Sequence, residues 1–302
     1  MKSIIRSLGA AVVLAGAVLY FYPPARLAAL VLVGRGSHCP MEKALASTEH
    51  SNQLRIHKDR ILAASKRLEK DTHGFTLWDT PHGRFWIPEG SDYVLPFNLA
   101  EQELEIYGNG EQAIRQGDVV LDCGANVGVF TRLALKQGAR VVVAIEPAPE
   151  NIVTLKRNFA GEIAAGRVIV YEKGVWDKDD VLVLQVDPHN SAADSFLIHR
   201  EGGVEGAKVP LTTIDKMVAE LKLDRVDYIK MDIEGAEQRA IKGGRDTIAK
   251  FHPRLSLSAY HNPADPEMIP KLVREVWNGY RMECGPCADG GSFVRPDVLY
   301  FR

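Results

Sequence analysis

The stretch LDCGANVGVF, residues 121–130, sets an acid and two glycines between an apolar run and a helix-forming segment. Gly124 and Gly128 remove side chains where a ligand and a helix backbone must come close, and the helix start beyond them turns unpaired N–H groups toward that ligand. A second acid, Glu146, lies 22 residues after Gly124 at the end of another apolar run. It can accept hydrogen bonds from adjacent ribose hydroxyls, so turn and acid together suit a nucleoside cofactor. A dinucleotide fingerprint needs glycine at three places where this chain reads Gly124, Asn126 and Val129, which disfavours nicotinamide.

Two later stretches, DYIKMDIEGAE and LSAYHN, carry acid–base groups. Strand alternation puts Tyr228, Lys230 and Asp232 on one face, with Asp232 at the carboxyl end. Lys230 reads either as a catalytic group or as a partner of nearby acids, and Glu237 either as a site acid or as a helix-dipole partner. His261 ends the following strand, and an imidazole suits a general base toward which Asp232 would orient a substrate. Asp232 with Asn262 offers fewer oxygens than a hard cation takes, so no metal is expected. Cys39, Cys123, Cys284 and Cys287 are too few and scattered for a disulfide framework. The CGPC stretch is followed by ADGGSF and reads as a loop between two late strands.

From Gly117 onward the pattern is strand, turn, helix, repeated. Strands are expected near 119–122, 140–146, 168–173, 226–232, 255–260, 280–284 and 298–301, with an irregular excursion near 180–215. This alternation implies an α/β fold, a mostly parallel seven-stranded sheet covered on both faces, closed by an antiparallel edge. Ahead of it, residues 41–70 read mainly as helix and FTLWDTPHGRFWIP as two aromatic strands around a turn. Trp78, Phe85, Trp86 and Tyr93 form either a small core or part of an acceptor wall. No charge interrupts Ser7 to Ala25, roughly the length that spans a bilayer core. A cleaved signal peptide is one reading; an uncleaved anchor is favoured because apolar character continues to Val33. The expected division is therefore an anchor over 1–35, a helical linker and aromatic cap over 36–98, and a catalytic domain over 99–302. With 46% hydrophobic and 25% charged residues among 302, a formal net charge of -2 and no basic block, nucleic acid is not an expected partner.

Four motifs in order, DCGANVG at 122–128, Glu146-Pro147, VPLTTID at 209–215 and IKMDIEGAE at 229–237, resemble the FkbM family of class I S-adenosylmethionine-dependent methyltransferases. The resemblance covers 99–302 and implies a Rossmann-like methyltransferase fold with S-adenosylmethionine as cofactor. It places Asp122, Gly124, Asn126 and Gly128 around the methionine part, Glu146 on the ribose, and Gly174, Val175 and Trp176 near the adenine. Oxygen methylation of a sugar, glycolipid or other small polyhydroxylated acceptor follows from the same resemblance, with Asp232, His261 and Lys230 as the catalytic candidates. Many members carry an acid on the fifth strand where this chain reads LSLSAYH, so the family's proton path does not transfer directly. With the anchor, the expectation is a single-pass membrane protein whose catalytic domain faces the cytosol. A non-catalytic cofactor-binding scaffold and a nucleotide-dependent oxidoreductase are the alternatives.

Overall fold

The computed structural model describes residues 16, 20–186, 195–198 and 204–302. The chain enters through α1 (Pro23–Leu32) and α2 (Met41–Ala64), then β1 (Lys66–Lys70), β2 (Phe75–Thr80), β3 (Gly83–Pro88) and α3 (Val94–Glu103). There follow β4 (Val119–Cys123), α4 (Val129–Lys136), β5 (Val141–Ile145), α5 (Pro149–Asn158), α6 (Ala160–Ala164), β6 (Val168–Tyr171) and β7 (Gly174–Val175). Next come β8 (Asp180–Val186), β9 (Val204–Thr212), α7 (Ile214–Glu220), β10 (Tyr228–Met231), α8 (Glu237–Gly243), α9 (Arg245–Phe251) and β11 (Arg254–Ser258). The chain closes with α10 (Asp265–Val276), β12 (Met282–Cys284), β13 (Cys287–Asp289), β14 (Val294–Pro296) and β15 (Val298–Phe301).

Every residue of β4, β10 and β11 is buried, which only a sheet covered on both faces permits. The seven-stranded order is β12-β15-β11-β10-β4-β5-β6. Strands β11, β10, β4, β5 and β6 run parallel, while β15 is antiparallel to both its neighbours. The antiparallel strand is thus second from the edge, because β15 inserts between β11 and β12. From β4 the chain builds outward through β5 and β6, then returns to the other side of β4 with β10. The order reverses between β4 and β10, and a crevice opens there at the carboxyl ends of the strands. The excursion after β7 folds into a second sheet, β7-β9-β8.

The aromatic cap is a three-stranded meander, β1-β2-β3, with Trp78 opposite Phe85. Both rings are buried with Ile61 of α2 and with Leu95 and Leu99 of α3, so they form a small core. Val127 and Val129 belong to the same cluster, which seats the cap directly on the β4 turn.

The expected membrane anchor is corrected here. Among the described residues no helix is long and apolar enough to cross a membrane. Much of the uncharged stretch, residues 7–15 and 17–19, lies outside the described residues. Its continuation is not an anchor extension: α1 is ten residues long, and Leu27 is fully buried in the main core beside Cys39, Ala44 and Val294. A single-pass membrane protein with a cytosolic catalytic domain is therefore not what the described residues build. Within RLAALVLVG packing accounts for Leu27 and, in part, for Leu30 and Val31, while Leu32 and Val33 are exposed. Cys39, just beyond α1, is joined by a disulfide to Cys287 at the start of β13, a pairing across 248 residues that the cysteine spacing did not suggest. Cys284 remains a buried thiol against the carbonyl of His38. Leu27→Ala is expected to lower the unfolding free energy by about 2–5 kcal/mol in urea titrations of the full chain; no loss would show that α1 is not part of the core.

Candidate active site

The β4 turn is shaped first by packing. Gly124 has φ +80°, and a Cβ there would lie 1.9 Å from the carbonyl oxygen of Asp232. Gly128 has φ +91°, and its Cβ would lie 2.1 Å from the ring of Phe159. The glycines expected to admit a ligand thus also let the turn touch the β10 loop on one side and the α5 end on the other. Asn126 completes the turn with φ +49°, a conformation that asparagine tolerates better than most residues. Its N–H donates to Oε2 of Glu146 at 2.8 Å. Its side-chain Nδ2 is buried without a hydrogen-bond partner, a donor left over for a ligand.

Glu146 also accepts from the N–H of Ala148 at 3.0 Å and from Nδ2 of Asn151 at 3.4 Å. Burial pushes its carboxyl up to about 7, against the pull of these donors. Beneath the turn, parallel register sets Lys230 of β10 beside Asp122 of β4. Lys230 Nζ stands 3.3 Å from Oδ1 of Asp122 and donates to the carbonyl of Gly124 at 2.8 Å. Asp122 is fully buried and accepts from the hydroxyl of Thr131 at 2.6 Å. It lines neither cavity of the crevice and supports the lysine, which is the place the structure gives a residue expected around the methionine part.

Two cavities meet at this edge. The smaller, about 50 Å³, runs from Gly124 and Asn126 past Glu146 to Gly174, Val175 and Phe196. The larger, about 320 Å³, lies under the cap helix α3 and is walled by Tyr93, Phe97, Glu101, Tyr107, Lys230 and Tyr260 among others. Gly124, Asn126, Asp232 and Glu234 border both. Trp176, expected near the adenine, does not line either cavity: it is 4% exposed, packed edge-on behind Phe196 with Arg239 over its face. Phe196 takes the wall position instead. Sequence reasoning missed it, as it missed Glu101 and Tyr107, because none sits in a motif and each reaches the site from outside the central sheet.

Asp232 accepts from the hydroxyl of Tyr107 at 2.7 Å. Burial opposes its ionisation, but Lys230, His261 and the Tyr107 hydroxyl outweigh that and hold its pKa below the ordinary value. Across the cavity the Glu101 carboxyl is raised well above its usual range by burial and by the charges of Asp232 and Asp297. His261 lies where the fifth strand was expected to put it. Its Nδ1 is 2.9 Å from Oε1 of the fully buried Glu237, and Nε2 is 3.5 Å from carboxylate oxygens of both Asp232 and Glu234. Burial alone would lower its pKa; Glu237, Glu234 and Asp232 reverse this and raise it to about 11. These carboxylates favour the protonated ring, which weighs against the general-base role expected of His261. Asn262 is turned away, donating to the carbonyl of Gly235 at 3.1 Å.

A family model described as the methyltransferase FkbM domain matches residues 122–282. The chain is 30% identical over 162 residues to the 31-O-demethyl-FK506 methyltransferase FkbM of Streptomyces tacrolimicus, covering 44% of this chain and 62% of that protein. It is 27% identical over 154 residues to methyltransferase sdnD of Sordaria araneosa, covering 41% of this chain and 59% of that one. The chain thus spans about three fifths of the length of these curated relatives. Among solved structures it is similar to a methyltransferase FkbM from Methylobacillus flagellatus KT, with 20% identity and a TM-score of 0.46, covering 85% of this chain and 60% of that chain.

Ribose hydroxyls donate to an ionised carboxylate, whereas a protonated Glu146 presents a competing donor. Binding of S-adenosylhomocysteine is therefore expected to strengthen about tenfold between about pH 6 and about pH 8, with a midpoint near the Glu146 pKa of about 7. Calorimetry at several pH values checks this. In Glu146→Ala the affinity should be weaker and the pH dependence flat.

Proposed function

The chain belongs to the FkbM methyltransferase family, and we propose that it methylates an oxygen of a small polyhydroxylated acceptor, a sugar or a lipid-linked sugar, using S-adenosylmethionine. One observation carries this reading: the two cavities share Gly124, Asn126, Asp232 and Glu234, so a nucleoside held against Glu146 and an acceptor held under α3 would meet at Asp232. Oxygen as the acceptor atom is supported by the relative from Streptomyces tacrolimicus, whose name specifies a 31-O-demethyl substrate. The polar lining of the larger cavity, with carboxyl groups from Asp232, Glu101 and Glu234 and hydroxyls from Tyr93, Tyr107 and Tyr260, suits a hydroxylated molecule.

When bound, S-adenosylmethionine supplies a methyl group on a positively charged sulfur. Glu146 would accept the ribose hydroxyls, and Nδ2 of Asn126 would donate to the methionine part. Lys230 holds the turn that carries Asn126 in register with β10. Asp232, kept ionised by Lys230, accepts the hydrogen bond of the acceptor hydroxyl and takes its proton, while Tyr107 fixes the carboxylate's orientation. Glu101, whose carboxyl is pushed toward its protonated form by burial and by Asp232 and Asp297, would donate to a second acceptor oxygen. The cap helix α3 walls one side of this meeting point, and alignment of acceptor and methyl group would supply much of the rate.

Full-length protein should bind S-adenosylhomocysteine and transfer labelled methyl groups to members of a panel of sugars and lipid-linked sugars. Asp232→Asn is expected to lower kcat at least about 100-fold while leaving the S-adenosylhomocysteine Kd within about threefold. Tyr107→Phe, which removes one hydrogen bond to a charged group, should lower kcat about tenfold. A folded protein with no affinity for S-adenosylmethionine or S-adenosylhomocysteine would overturn the reading.

A further inference from the structure

His261, Glu234 and Glu237 were given no step in the reaction just described, yet they gather beside Asp232. The His261 side chain is 2% exposed, and its Nδ1 is held by Glu237, which itself accepts from the N–H of Ile233 at 2.9 Å. Its other nitrogen, Nε2, is buried with no hydrogen-bond partner. That nitrogen is aimed between Oδ1 of Asp232 and Oε1 of Glu234, 3.5 Å from each. One donor atom from each of the three residues lies within 4.8 Å of the others. Lys230 does not neutralise the cluster alone, since its ammonium already serves Asp122 and the Gly124 carbonyl. Two ligand atoms each about 2.1 Å from one ion stand about 3.0 to 3.5 Å apart, close to the spacing around Nε2. A carboxylate behind a ligating imidazole, here Glu237, is the usual support for such a ring.

We infer that Asp232, Glu234 and His261 bind one divalent first-row metal ion, with Glu237 orienting the imidazole. One imidazole with two carboxylates suits Mn²⁺ or Zn²⁺ better than Ca²⁺, which takes six to eight oxygens. Asp232 gives Oδ1 to the ion, and Oδ2, which accepts from Tyr107, stays the oxygen that takes the acceptor proton. Asp232 and Glu234 border both cavities, which puts the ion beside the place where acceptor and cofactor would meet. The role of the ion, holding paired hydroxyls of the acceptor and acidifying the one to be methylated, rests on the methyltransferase reading; the site itself does not.

The test uses full-length protein stripped with EDTA and titrated with MnCl₂ and with ZnCl₂, followed by calorimetry and, for manganese, by loss of the free-ion spin-resonance signal. One ion per chain is expected. Glu234→Gln and His261→Ala should each weaken uptake at least about tenfold, and Glu69→Gln, an exposed acid on β1, should not. A cooperative thermal unfolding transition in the same samples reports that they are folded. If His261→Ala loses that transition, Glu234→Gln decides. Wild type that binds S-adenosylhomocysteine but takes up neither ion overturns the site and leaves the methyltransferase reading intact, as does uptake unchanged in the variants. Ion uptake without any S-adenosylhomocysteine binding does the opposite.

Discussion

Lys230 is an ammonium in a place where an uncompensated charge would be prohibitive. It is 4% exposed, in the middle of a sheet, and it is tolerated because parallel register sets Asp122 next to it and because the Gly124 carbonyl lies within its reach. The ion pair joins the two strands at which the sheet order reverses. Everything at the crevice follows from that junction. Gly124 can approach the Asp232 carbonyl only without a Cβ; Asn126 is then carried to Glu146; and Asp232 is held ionised at the mouth of both cavities. Removing one partner would leave the other buried and unpaired, which is far costlier than replacing both by apolar groups.

Much of this was legible in the sequence because it rests on short-range rules. Continuous apolar runs with turns between them gave the parallel strands, and glycine spacing located the turn. Strand alternation put Asp232 and Lys230 on one face, and the end of the fifth strand put His261 at the same edge. Trp78 and Phe85 were expected as either core or wall, and the buried cluster with Ile61 and Leu95 makes them core. Lys230 pairs with Asp122 and also lines the larger cavity, so its two readings meet in one side chain.

What was not legible depends on contacts across the fold. An apolar run reads the same whether it faces lipid or protein, and only the packing of Leu27 against Ala44 and Val294 distinguishes them for the described part. The proton affinity of His261 depends on three carboxylates reaching it together, one of them from a helix after the fourth strand. Phe196 displaced Trp176 at the cavity wall because an irregular excursion, not a motif, delivers it. Tyr107 and Glu101 come from the segment ahead of the sheet, where nothing in their spacing marks them as facing Asp232.

The bond between Cys39 and Cys287 closes nearly the whole catalytic fold into one covalent loop, since its ends lie 248 residues apart. The unfolded oxidised chain is therefore a large ring with two tails, with fewer conformations open to it than a linear chain of equal length has. A single cut in any surface loop of that ring would open it without releasing a fragment. Cap, cofactor turn and fifth strand would stay tethered, and the two halves would separate only once a reductant reached the bond.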